Sequence, residues 1–333
     1  MKPKAFSWVL ASSVLLAGSA AADETPQCAV ELVVLGAGQD AGAPQIGNAD
    51  DGPRLLPSSL GLIDRSSGSR YLLDATPAIT EQLAMLDAIE PPREGLGVDG
   101  VFLTHAHIGH YLGLAYFGRE AAGASGVPVY AMPRMAQFLR ENGPWSQLVE
   151  LGNIEILTPR PFDRADEIEV ADWRPAEPII FDNGIAFGAF PVPHRDEYSE
   201  TVGWVAFDPA RYSVLYLPDI DDWDEWEARH EGFSLNRMLQ MADMLFIDAT
   251  FWDDNELDGR DMSEIPHPRV TETMDRLQDL PAEQRAKVHF IHYNHTNPIR
   301  DPDSAESAEV EARGFNVARR GDRHCLASSL TAP

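Results

Sequence analysis

Cysteine is nearly missing: Cys28 and Cys325 are the two in 333 residues. That excludes a disulfide-dense scaffold and any zinc module built from four cysteines. Basic residues are scarce too, 26 Lys and Arg against 53 Asp and Glu, for a formal charge of −27. Such an acidic surface repels phosphate backbones and anionic lipid, so neither a nucleic-acid partner nor a membrane-surface role is expected, and the charge serves solubility. Long apolar runs are lacking as well. The stretch at residues 5–18 is too short for a stable membrane span, and nothing later in the chain is long enough. What is present is 44% hydrophobic residues, enough for a large core and too much for a disordered chain.

Lys2 and Lys4 precede that apolar stretch and Ser19-Ala20-Ala21-Ala22 follow it, the form of a signal peptide over residues 1–22. Cleavage near Ala22 makes Asp23 the first mature residue, and Ser19 stands where a lipid anchor would need cysteine. The expectation is a periplasmic or secreted protein with one domain over 23–333. In an oxidising compartment Cys28 and Cys325 can pair, and closing so long a loop is worth up to roughly 5–6 kcal/mol by the chain-entropy argument.

Short apolar runs bounded by Gly, Pro and Asp predict strands at 30–35, 60–63, 71–73, 100–103, 127–131, 154–157, 185–190, 202–207, 214–217, 244–247 and 288–291. Helical spacing appears at 79–89, from about His110, at 135–141, within 225–241 and at 270–277. Strands and helices alternate through both halves, which predicts an α/β fold. The Pro-, Asp- and Arg-rich segment 158–177 reads as a surface excursion. Gly36-Ala37-Gly38 after the first strand lacks the third glycine of a dinucleotide loop, since Ala41 stands there.

The strongest chemical signal is Thr104-His105-Ala106-His107-Ile108-Gly109-His110, three of the ten histidines in six residues, placed between a strand and a helix. A loop at a strand tip can turn several imidazoles toward one point, and neutral imidazole is a ligand for zinc and iron. His194, Asp219 and His292 each follow the end of an apolar strand and offer further donors. Asp248 ends another strand and suits a supporting or substrate-facing role, His289 suits a structural one, and Trp223, Trp226 and Trp252 suit the core or a pocket wall.

In this order, His-x-His-x-x-His, a later His, an Asp and a final His, the chain resembles the metallo-β-lactamase fold superfamily. Gly36 through Gln45, Leu217-Pro218-Asp219-Ile220-Asp221 and Phe290-Ile291-His292 through Asn297-Pro298 look most like the pyrroloquinoline-quinone biosynthesis protein B family. The resemblance implies a four-layer αββα sandwich with the metal at one edge. It also implies a first site of His105, His107 and His194, a bridging Asp219, and a second site with His110 and His292. The superfamily loop usually carries Asp where this chain has Gly109, so the second site lacks a ligand. Asp40, Asp221 and His295 are candidates to replace it, and Gly109→Asp is expected to strengthen it. The cysteine cluster often found after the Pro-Gln segment of the biosynthesis family is missing from Ile46 to Asp51, so no structural zinc is expected there.

The chemistry that follows is hydrolysis of an ester, lactone, amide or phosphoester by a water activated on Zn2+, one ion or two, with Fe as the alternative. Asp219 would orient the nucleophile, and His110 or His292 would hold a second ion or move protons. The competing readings are an iron-dependent oxygenase or cofactor-maturation protein, and a catalytically silent metal-binding protein. The expected partner is a small-molecule substrate; its identity and the oligomeric state stay open.

Overall fold

Strand β1 (Cys28–Gly36) sends Leu32 and Val34 to one side and Val33 and Leu35 to the other, and all four are fully buried. A strand covered on both faces belongs inside a layered structure. The computed structural model describes residues 28–48, 50, 52–160, 178–230 and 232–328; the signal segment expected at 1–22 and all but the first residues of the excursion expected at 158–177 lie outside them.

The first sheet continues with β2 (Ser59–Asp64), β3 (Ser69–Leu73), β4 (Gly100–Phe102), β5 (Val127–Tyr130) and β6 (Ile154–Leu157), and β14 (Arg323–Ser328) flanks β1. The second contains β7 (Ile179–Ile180), β8 (Ala186–Pro191), β9 (Val202–Asp208), β10 (Tyr212–Leu217), β11 (Met244–Asp248), β12 (Val288–Ile291) and β13 (Asn316–Val317). Both sheets share a plan. An antiparallel run (β1–β2–β3, β8–β9–β10) feeds a parallel one (β3 to β6, β10 to β13). The short strands β7, β13 and β14 carried too little apolar pattern to be predicted.

Helices α1 (Ile79–Ile89), α3 (Pro133–Glu141) and α4 (Trp145–Glu150) bury Ile79, Leu86, Met135, Leu139, Trp145 and Leu148 against Val33, Leu35, Val101 and Val129 of the first sheet. On the far side α5 (Trp223–Arg229), α6 (Leu235–Met241), α7 (Val270–Leu277) and α8 (Ala305–Ala312) cover the second sheet. The region 225–241 holds two helices because Ser234 begins a new one, accepting the Arg237 N–H as its cap. Trp223 and Trp226 are fully buried and donate to Thr273 Oγ1 and the Pro191 carbonyl, which settles them as core. The layers are helix, sheet, sheet, helix: the αββα sandwich that the family resemblance implies.

Two features tie this frame to the site. Cys28 and Cys325 form a disulfide between β1 and β14, with Cα atoms 5.6 Å apart. At the other end of β1, the C-terminal tips of β1, β3, β4, β8, β10, β11 and β12 share one rim, and hydrogen bonds cross between the sheets there. Val202 N donates to Thr104 O (3.1 Å), Trp204 Nε1 to Leu103 O (3.0 Å), and Tyr293 N to Ala37 O (3.1 Å).

Candidate metal centre

The loop after β4 is fixed before its histidines begin. Thr104 donates its backbone N–H (2.8 Å) and its hydroxyl (3.0 Å) to the buried Asp74 carboxylate at the tip of β3. The Ala106 N–H donates to Ser199 Oγ at 2.8 Å. One turn of helix, α2 (Ile108–Tyr111), then returns His110 toward His105, leaving their ring centroids 4.2 Å apart. Extended loop followed by helix is what lets residues two and five apart face one point.

Two sets of donors meet there. His105 Nε2 and His194 Nε2 each lie 3.3 Å from Asp219 Oδ2, His107 Nδ1 lies 3.9 Å from it, and His107 Nδ1 and His194 Nε2 are 3.1 Å apart. The same oxygen also has His292 Nε2 at 3.8 Å and His110 Nε2 at 4.0 Å, with Asp40 Oδ1 3.8 Å from His110 Nε2. Within each set, His105–His107–His194–Asp219 and Asp40–His110–His292, the donor atoms all lie within 4.8 Å of one another. His105 Nε2, His110 Nε2, His292 Nε2 and Asp219 Oδ1 are buried without a hydrogen bond. Orphaned buried polar atoms cost about 1–3 kcal/mol each, so four in one place need a ligand. Imidazole nitrogens with carboxylate oxygens are a donor set that zinc and iron both accept.

Behind each ring stands a second partner. His110 Nδ1 donates to Asp74 (2.7 Å), His194 Nδ1 to Asp221 (2.8 Å) and His107 Nε2 to Glu197 (3.1 Å). His105 Nδ1 and His292 Nδ1 instead meet the hydroxyls of Thr104 (3.0 Å) and Thr250 (3.1 Å). Such contacts fix each ring's tautomer and direction. They also sort the ring acidities. Burial depresses His105 and His292 well below the usual histidine value, with His110's charge adding to the effect on His105. Burial opposes the charged form in His110 and His194 as well, but Asp74 holds His110 up, and Asp219 with Asp221 takes His194 to about 10. Burial also resists ionisation of Asp219, yet the surrounding His194, His292 and His267 hold its carboxyl well below the usual carboxylate range.

Among the residues singled out in the sequence, the structure brings together His105, His107, His110, His194, Asp219 and His292. Asp40 joins the second set. Asp221 does not: it orients His194 from behind. Nor does His295, whose ring bonds Asn48 and Asn294. His289 packs between Phe246 and His324, as a structural ring would. Asp248 supports the site, accepting the Ile220 N–H (3.1 Å) and His267 Nδ1 (2.8 Å).

His267 and Asp74 were missed. His267 follows no strand, so no apolar run announced it, yet its Nδ1 lies 3.3 Å from Asp219 Oδ1 and its ring borders a cavity of about 300 Å³ shared with Asp221, Asp222 and Glu225. Burial lowers the proton affinity of His267, but Asp248 and Asp219 outweigh it and raise the ring above the usual histidine value. Asp74 did carry a signal: it ends the strand Tyr71-Leu72-Leu73, as Asp219 ends its own. Asp74 and His292 also share a left-handed backbone, φ 64° and 65°. Non-glycine residues adopt this sparsely populated conformation where surrounding contacts over-determine it, often at functional sites.

Residues 69–293 match the beta-lactamase superfamily domain. The coenzyme PQQ synthesis protein B of Ruegeria pomeroyi is 29% identical over 326 residues, covering 88% of this chain and 98% of that protein. Among solved structures, the Zn2+-bound PqqB from Methylobacterium extorquens superposes with a TM-score of 0.67 at 22% identity, over 88% of this chain and 99% of that one. A diphosphatase from the PhnP family gives 0.58 at 21% identity, over 89% and 96%. With a family match over most of its length and the fold and donor geometry described above, this chain belongs to the metallo-β-lactamase superfamily.

Proposed function

We propose that this protein is an exported, metal-dependent hydrolase acting on an ester, lactone, amide or phosphoester. The observation that carries the reading is the convergence of buried, hydrogen-bond-free imidazole nitrogens on Asp219 Oδ2. His105, His107, His194 and Asp219 would hold Zn2+. When bound, the ion lowers the pKa of a coordinated water from about 15.7 toward ~7 and polarises the substrate oxygen.

The chain's own residues do the rest. Asp219 Oδ2 faces both donor sets, and Asp219 Oδ1 turns toward His267. Asp248 accepts from His267 Nδ1 and leaves Nε2 as the atom able to give a proton to a leaving group. Glu197, Asp221, Asp74, Thr104 and Thr250 keep the five rings aimed. Export is supported by the signal-like segment 1–22 and by the cystine, a bond that persists in oxidising compartments.

A second reading is an iron-dependent oxygenase or cofactor-maturation protein; the 29% identity to coenzyme PQQ synthesis protein B supports the cofactor-maturation role. Elemental analysis of freshly purified protein, followed by a screen of lactones, β-lactams and phosphodiesters against native and His107→Ala protein, tests the hydrolase. Turnover lost in His107→Ala supports it. Oxygen uptake by iron-loaded protein, with no hydrolysis of any substrate, would move the assignment to the second reading.

A further inference from the structure

The loop after β1 is pinned on every side. Gln39 through Gly42 forms a turn closed by the Gly42 N–H donating to Gln39 O (2.7 Å), with Gly42 at φ 64°. Gly38 N donates to Leu56 O (2.8 Å), Ala43 N to Leu55 O (2.8 Å), and Gln39 N to Tyr293 O (3.0 Å), one residue beyond His292. At its tip Asp40 is placed against α2, where Gly109 N–H donates to Asp40 Oδ1 at 3.2 Å. A β-carbon built on Gly109 would lie 2.4 Å from Asp40 Cα and 2.6 Å from Asp40 Oδ1. Neither distance is tolerable, and the first is to backbone that cannot swing aside.

We propose that Asp40 is the carboxylate ligand of a second cation, held with His110, His292 and the shared Asp219, and that glycine at 109 exists to admit it. This rests on the metallohydrolase reading above. Space explains the pairing. The loop tip fills the volume that any side chain at 109 would need, so the site takes its acid from β1 or from α2 and never from both. The unpaired Nε2 atoms of His110 and His292, both in fully buried rings, face this set independently of Asp40. The earlier expectation for Gly109→Asp is therefore reversed: the new side chain would push the pinned loop away and cost the second ion.

The test is a calorimetric Zn2+ titration of the chelator-stripped full chain, with metal per chain counted by elemental analysis. Asp40→Asn keeps an oxygen for the Gly109 N–H and removes the charge. Two ions are expected in the intact protein and one in Asp40→Asn, a loss beyond the ~10–100-fold that an outer partner is worth. Gly109→Ala, which removes no ligand, should also fall to one ion, and Asp40→Glu should regain part of the second. Two ions at unchanged affinity in Asp40→Asn, or one ion in the intact protein that Asp40→Asn leaves alone, overturns the assignment and spares the hydrolase. No ion in the intact protein sinks both.

Discussion

The two donor sets share Asp219 Oδ2 yet are built differently. The first draws two ligands from one short loop, and its backing carboxylates, Glu197 and Asp221, lie on the rim side, partly exposed. In the second, His110, His292 and Asp40 come from α2, the end of β12 and the turn after β1, and its backing group Asp74 is wholly buried. Both sets need the sheets docked, because His194 and Asp219 of the first and His292 of the second follow strands of the second sheet. They differ in that two imidazoles of the first stay together on one loop, whereas each member of the second arrives on a separate segment.

Substitutions can break this contrast. Asp219→Ala strips both sets of their common oxygen and should abolish metal uptake and turnover together, read as zero ions per chain. Asp74→Asn and Asp221→Asn separate the sets. Each should cost about 10–100-fold in affinity, the former for the ion beside His110 and the latter for the ion beside His194. Because Asp74 also accepts from Thr104 and Tyr216 Oη (3.2 Å), its loss should lower the melting temperature as well.

Cys28→Ser addresses stability without the site. The bridge lies about 26 Å along β1 from the rim, at ~3.3 Å per residue. The melting temperature should drop by several degrees under oxidising conditions while the metal count holds; a lost ion would show that the sheet edge and the rim are coupled.

The smallest effect concerns Glu256, which accepts from the Trp252 N–H and the Thr296 hydroxyl near the end of β11. Burial raises its carboxyl to about 7 from 4.5. The folded state therefore keeps a proton that the unfolded chain releases, and stability falls as pH climbs through that interval. Glu256→Gln should match the parent near pH 5 and melt a few degrees higher at pH 8; equal melting at both would remove this role.

Much of this architecture was legible in the chain. Apolar runs such as Val30–Leu35 and Val214–Leu217 were visible because a strand buried on both faces must be apolar throughout. His105, His107 and His110 stood out because three imidazoles so close together have no packing purpose. Strand tips pointed to His194, Asp219 and His292. Asp40 was one of three candidates, and nothing local separated it from Asp221 or His295. His267, in a loop with neither strand nor motif beside it, gave no sign.

By itself, then, the sequence determined the elements and the donors that lie within them or at their ends, since propensity, periodicity and burial act over a few residues. Tertiary structure alone decided which tips share a rim. It placed the β1 turn against Gly109, sent Asp221 behind His194, and brought His267 to Asp219. Those choices follow from sheet order and from volume, because two groups cannot fill one space, and neither constraint is written in the spacing of residues along the chain.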